Sequence, residues 1–515
     1  MNNRTYLKTS GFALAFVCLV SLFVPKYSAA FKYLPSADFV KAAILPEPVK
    51  LEWKLREPFD LTTTSTIFLP AAASREEREL AEWVRLGMYN LFGVQPDIMV
   101  TDLIPAQNAI ILGRLDTSPV VKELLPGVSR EQFGNFPDQG YVISSNAQRV
   151  TVIGVGMLGL KNAAQTFLQL VAVDRERHKH VVPPVEIVDF PAVDMRALLL
   201  PVRSFKQLMQ MEHARELINL GEMLHMNTVI LQIDNGFKFE SVPEVSRTDG
   251  FPMDTLRALV RYAREADMEV IPLVNTLSDQ HYLLCAVHPN LCLDKYTYDP
   301  SDERVYGKLF PILDEIIEVC QPKYMHVGHS WLRVFSNMKD ERAQGLFLKD
   351  VGKIYDHLKK KNVQMMMWSD MLLDGTQFPG QDLCYGRLGN IHAVIDSLPK
   401  DIILVDAHQQ QREPKFKTVD YLTSKGFRVL GCVALDKATS DQFSKYVAEG
   451  YMGNWEGKFL GMALALWGMF DYEGMSTPRR LARECAEAFW RGGRPPEDPM
   501  GENRPVVYRP TEKEQ

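Results

Sequence analysis

A set of polar and aromatic residues closes apolar runs throughout the second half of this sequence. Asp234 follows TVILQI, Asn275 follows EVIPLV, Ser330 follows YMHVGH, Asp370 follows VQMMMWS, Asp406 follows DIILV and Trp467 follows GMALAL. Trp368 lies two residues before Asp370, and Arg196 stands near the start of the run MRALLLP. Carboxylates at such exits accept hydrogen bonds from hydroxyl groups, and an indole face stacks on the apolar face of a pyranose. Recognition of a sugar is the chemistry these residue types share. Blander readings stand beside it: each Asp caps the next loop, each Trp belongs to the core, and Arg196 either holds sugar hydroxyls or pairs across the floor of the fold.

Other chemistries lack their spacing. His326 and His329 are three apart on one apolar run, so strand alternation sends them to opposite faces and a shared metal is not expected. No HExxH, paired CxxC, EF-hand loop, phosphate-binding P-loop or GxSxG elbow is present. The segment GVGMLG from Gly154 imitates part of a dinucleotide fingerprint without its full glycine spacing or acidic partner, and reads as a turn. His178 and His180, in RHKH, read as a solvated basic loop. Neither a metal nor a cofactor is expected.

The elements that must hold the strand-end residues form one repeating unit of short apolar strand, polar loop and amphipathic helix. The strands begin at Met195, Thr228, Glu269, Tyr324, Val363, Asp401, Arg428 and Gly461, with helical stretches such as MDTLRALVRYAREADM and ERVYGKLFPILDEIIEVC between them. Nearly continuous apolar strands alternating with helices imply a parallel sheet covered on its outer face, and eight such units close into a (β/α)8 TIM barrel. Sites in such barrels lie at the carboxyl ends of the strands. Ahead of the barrel, STIFLP, NAIILG, GYVISS and VTVIGV alternate with two helical patterns, SREERELAEWVRLGMYNLF and GLKNAAQTFLQLV, as in a small α+β domain. The proline-rich VVPPVEIVDFPAVD marks the boundary. The expected division is a leader over 1–30, an α+β domain over 45–190, the barrel over 191–493 and a polar tail over 494–515.

Composition narrows the partners. With 515 residues, 46% of them hydrophobic and 24% charged, the chain can bury two substantial cores. Its net charge of −6 gives no overall pull toward nucleic acid or an anionic membrane. Arg4 and Lys8, the apolar run from Gly11 to Val24 and the small residues Ser28, Ala29 and Ala30 read as a cleaved export signal. A secreted or extracytoplasmic location follows, periplasmic in a Gram-negative cell, with membrane contact only through the leader. Beyond Cys18 in that leader, most cysteines fall inside apolar patterns and are expected to be buried free thiols; Cys285 and Cys292 are the one close couple, for which a disulfide is the alternative.

The order of motifs resembles glycoside hydrolase family 20, the β-N-acetylhexosaminidases, and above all their hexosaminidase D-like branch. The resemblance rests on Val185 to Pro191 closing the first domain, Arg196 in the opening strand, and Met226-Asn227-Thr228. It extends to IPLVNTLSDQHYLL, to Tyr324-Met325-His326-Val327-Gly328-His329-Ser330-Trp331, and to Trp368-Ser369-Asp370. In the family, strand four ends in Asp-Glu: the glutamate protonates the leaving oxygen, and the aspartate orients the substrate's acetamido group, whose own oxygen attacks the anomeric carbon. Here Ser330 and Trp331 occupy those two positions, Ser278 and Asp279 replace the family's Gly-His, and Pro201 replaces an acidic residue.

The resemblance implies an exported hexosaminidase-like fold, degenerate in catalysis, binding a carbohydrate such as an N-acetylhexosamine-containing glycan. The candidate substrate-binding residues are Arg196, Asp234, His326, Trp368, Asp370 and Trp467, with no catalytic residue assigned. Two alternatives stand: an active glycosidase using displaced carboxylates such as Asp234, Asp279 or Asp370, and a partner-binding module in which Trp331 fills the pocket.

Overall fold

The computed structural model describes residues 44–493 apart from 55, 175–176, 203–206, 412, 435, 452–456 and 468–474, and apart from the side chains of 207–210 and 451. The leader and the polar tail lie outside the described residues.

A seven-stranded mixed sheet forms the first unit, in the spatial order Lys50–Trp53, Val185–Asp189, Tyr141–Ser145, Arg149–Gly154, Ala109–Arg114, Thr66–Leu69 and Asp97–Val100. Its one face packs against helices Arg75–Phe92 and Met157–Leu170, through Ile67, Ile110 and Val152 against Leu80, Val84 and Phe167. Ser74 and Glu77 satisfy each other's backbone donors in a capping box that starts the first helix. The turn expected at GVGMLG is the tight passage from strand to helix. A Cβ at Gly154 would stand 1.9 Å from the Leu160 nitrogen, so only glycine lets the helix start so close to the strand. The stretch RHKH is a hairpin rather than a simple solvated loop: His180 lies in strand Lys179–Val182, its ring 5.5 Å from Phe92.

The second unit is a closed barrel of eight parallel strands: Met195–Pro201, Thr228–Gln232, Glu269–Thr276, Tyr324–Gly328, Gln364–Trp368, Ile403–His408, Arg428–Val433 and Phe459–Ala465. Strand eight pairs with strand one from Gly461 to Met195, which closes the ring. The expected barrel behind a small α+β domain is therefore the observed fold. Alternation is strict along the strands. Ala197, Leu199, Ile230, Ile271, Tyr324, Met366, Ile403 and Leu430 fill the interior, while Leu198, Val229, Val270, Met325 and Leu404 face the helices outside. Between strands five and six the outer layer is a 3₁₀ segment, Leu388–Ser397, broken by left-handed Gly389 and Asn390.

Strand one runs from floor to mouth, so Arg196, its second residue, lies at the floor. Its guanidinium donates to the carbonyls of His225, Val193 and Asp194 at 2.7–2.8 Å and rests 5.0 Å from the ring of Trp490. It is buried there, and the expectation of a sugar contact is corrected by its position at the wrong end of the strand. The same floor joins the two units. Asp189, fully buried, accepts the Tyr141 hydroxyl at 2.6 Å, the Trp490 indole N–H at 3.0 Å and the Val49 N–H at 2.8 Å. Trp490 belongs to the final helix, Ser476–Arg491, so one carboxylate links the first domain to the end of the barrel unit.

The cysteine expectation is corrected as well. Cys285 and Cys292 form a disulfide, because a short helix and turn after strand three bring their Cα atoms to 5.9 Å. Cys320, Cys384, Cys432 and Cys485 are free thiols.

Asp189→Ala should lower the unfolding free energy by about 3 kcal/mol, since it strands buried donors from three segments at once. A urea titration followed by tryptophan fluorescence measures it, and a change within about 0.5 kcal/mol would show that the seam does not depend on this acceptor.

Candidate functional site

Continuing the inward alternation past each strand end predicts which side chains reach the mouth. On strand two this is Gln232, on strand three Asn275, beyond strand four Ser330, on and beyond strand five Trp368 and Asp370, beyond strand six Gln409, and beyond strand eight Trp467. All of them border one cavity of about 380 Å³, together with Trp331, Asp279 and Tyr385.

The carboxyl of Asp370 is the centre of its polar wall. Its Oδ2 accepts the Ser330 hydroxyl at 2.9 Å and the Trp331 backbone N–H at 3.0 Å, joining the exits of strands four and five. Burial pushes its pKa up to about 7, although these two donors pull the other way. Asp370 is thus partly protonated at neutral pH, while Asp279 lies exposed at the rim.

Asp234 and His326 sit one layer away from the cavity. Asp234 turns back in a left-handed conformation and accepts from the Gln232 amide at 2.8 Å and from the Asn275 N–H at 3.0 Å. It aims two cavity-lining side chains and does not line the cavity itself. His326 faces inward but too deep: it is fully buried under Trp368, ring centroids 4.4 Å apart, and its Nδ1 accepts the Gly328 N–H. Burial, with His329 close by, pushes its pKa down to about 3, so the ring is neutral. Both expected sugar contacts are therefore corrected to supporting positions.

Aromatic rings make the rest of the wall. Trp368 and Trp467 meet edge to face at 5.4 Å. Trp331 stacks on Tyr385 at 6.0 Å with Arg333 over its ring, and remains 50% exposed. The indole leans against the rim and leaves the cavity open, contrary to the reading in which it fills the pocket.

Two buried polar clusters behind the wall hold its loops. His329, on the outer face as alternation requires, places Nε2 2.8 Å from Asp350, which also accepts the hydroxyls of Tyr298 and Tyr306. Asp406 likewise faces outward, with His408. His408 lies between Asp382 at 2.9 Å and Asp406 at 3.2 Å, and Asp382 accepts the N–H groups of Gln409 and Gln410. The loop carrying Leu383 and Tyr385 is thereby fastened to the loop carrying Gln409. Sequence reading missed Gln232, Gln409 and Tyr385. The first two were available from alternation, whereas Tyr385 reaches the site only through the path of its loop.

No cluster that could hold a metal occurs among the described residues. Residues 41–190 match the model of glycosyl hydrolase family 20, domain 2. That match spans the α+β domain alone. It is 23% identical over 418 residues to a β-hexosaminidase of Porphyromonas gingivalis, covering 72% of this chain and 50% of that protein. A β-hexosaminidase 1 of Coccidioides posadasii is also 23% identical, over 57% of this chain and 52% of the relative. The chain thus spans about half the length of the curated relatives it matches. Among solved structures, the β-N-acetylhexosaminidase of Bacteroides fragilis NCTC 9343 superposes with a TM-score of 0.62 at 18% identity, covering 88% of this chain and 92% of that one. The exo β-N-acetylglucosaminidase of Vibrio harveyi in complex with N-acetylglucosamine gives 0.62 at 15% identity, covering 87% and 73%. The domain-and-barrel arrangement is that of the family 20 hexosaminidases.

The His408 cluster predicts a pH response. Burial works against its charge, but Asp406 and Asp382 outweigh it and raise its pKa to about 9. A raised folded-state value stabilises fully below the ordinary histidine range near 6.5 and is lost as pH climbs through about 9. Unfolding free energy should therefore fall by roughly 3 kcal/mol across that window, and His408→Gln should flatten the fall. Denaturant titrations at a series of pH values test it; an equal slope in the variant would contradict the assignment.

Proposed function

We propose that this protein is an exported, divergent family 20 hexosaminidase relative whose barrel mouth binds a hexosamine-containing glycan without hydrolysing it by the family's route. The observation that carries the reading is the exit of strand four. Ser330 and Trp331 occupy the positions that the motif aligns with the family's Asp-Glu; the serine hydroxyl is committed to Asp370, and the indole lies on Tyr385. Neither side chain can deliver a proton to a departing glycosidic oxygen at neutral pH, and neither carries the charge that orients an acetamido group. The loss of a positioned acid costs about 10² to 10⁴ in rate, before the missing orienting charge is added. Binding is supported by the open cavity with its aromatic wall. Export is supported by the leader motif and agrees with the Cys285–Cys292 disulfide.

A second reading is favoured by one feature. Asp370, half protonated near pH 7 and bordering the cavity, has the ionisation suited to a general acid, with Asp279 as a second carboxylate. In that case the protein is an active glycosidase on another linkage.

Release of nitrophenol from a β-N-acetylglucosaminide is expected to run at least about 10³-fold below a hexosaminidase control. A rate within tenfold of the control would overturn the proposal. Turnover of a different nitrophenyl glycoside that disappears in Asp370→Asn would decide for the second reading.

A further inference from the structure

Depth divides the residues that border the cavity. Gln232, Asn275, Trp368 and Asp370 are buried, whereas among the described bordering residues only Trp331 and Asp279 are exposed. Trp331 is also the one exposed tryptophan among the described residues, at 50%. Its placement is fixed all the same. The backbone takes a left-handed conformation with φ 52°, which a bulky residue adopts only under constraint. The Trp331 N–H donates to Asp370 at 3.0 Å, and its carbonyl accepts the Arg333 N–H at 2.9 Å. The Arg333 guanidinium lies 3.6 Å from the indole centroid. Tyr385 stands alongside, its plane 23° off and the centroids 6.0 Å apart, an offset arrangement that leaves part of the indole open. A strained, doubly tied backbone and two bracing side chains thus hold an apolar surface in solvent, where it gains nothing from burial within the chain. The indole N–H and the Tyr385 hydroxyl have no partner among the described residues, and Arg333 forms no ion pair there.

That combination suits a ligand lying across the rim. An indole offers apolar contact to the C–H surface of a pyranose, and the donor groups beside it suit hydroxyl oxygens. A volume of about 380 Å³ lies near the lower end of the range for small-ligand pockets, so a glycan longer than one sugar unit has to leave the cavity across its rim. Trp331 borders the cavity and the solvent at once, and it is the aromatic part of that rim. We propose that Trp331, with Tyr385 and Arg333, forms an outer subsite that packs against the second pyranose of a β-linked oligosaccharide whose terminal hexosamine lies against Trp368 and Trp467. The protein then takes a glycan of two or more units in preference to a single sugar. The inference rests on the reading of the barrel mouth as a hexosamine-binding surface and adds the length of glycan that the surface holds.

Calorimetry on the folded protein with N-acetylglucosamine and its β-1,4-linked dimer tests it. The dimer should bind roughly tenfold more tightly than the monosaccharide. Trp331→Ala should reduce that advantage to within about twofold, and Arg333→Ala should weaken the dimer roughly threefold more than the monosaccharide. A dimer advantage below about twofold in the parent protein, or one that survives both substitutions, would overturn the inference and leave the hexosamine reading standing. Failure of both sugars to bind would overturn that reading too. If Trp331→Ala does not fold, Arg333→Ala decides, and an equal loss for the two sugars, or no loss for either, counts against the outer subsite.

Discussion

Closure of eight parallel strands lets only every second side chain point inward, and this constraint organises the whole site. Each strand spends its inward positions on apolar filling until it reaches the mouth, where the same register delivers Gln232, Asn275, Trp368 and Trp467 to a common space. A side chain one residue out of phase faces the helices, as His329, Asp406 and His408 do. One in phase but too early is buried in the core, as His326 is, four residues before Ser330. Residue type alone does not distinguish these cases; phase and depth along the strand do.

The mouth is held from behind as much as from within. The clusters around Asp350 and around His408 lie on the outer side of strands four and six, where surrounding hydrocarbon strengthens polar interactions and makes an unsatisfied group costly. They anchor the loops that carry Ser330, Tyr385 and Gln409. The strand exits themselves are backbone-strained: Asp234, Leu277, Asp279, His329 and Trp331 adopt positive φ. At Gly328, a Cβ would stand 2.8 Å from the Asn275 side chain, so the turn after strand four tolerates no larger residue without moving the cavity wall. Such strain persists where packing over-determines the backbone, and the two buried clusters supply that packing here.

Asp370 shows how one buried carboxyl ties two strand exits together. At the exit of strand four, Ser330 and Trp331 both donate to this neighbouring carboxyl. The aromatic wall does not rest on that carboxyl, because Trp368 and Trp467 are placed by strand register.

Periodicity made the eight strands, the preceding α+β domain and the proline-rich boundary readable in the chain, because hydrophobic patterning is a local property that folding has to obey. The order of strand exits around His326 and Trp368 was legible for the same reason. Tertiary structure alone decided that Arg196 belongs to the floor and that Asp234 stands behind Gln232. It also decided that Cys285 meets Cys292, and that Tyr385 and Gln409 share a wall. Depth along a strand, the path of a loop and the distance between two loops are set by the closure of the entire ring, and no window of neighbouring residues contains that information.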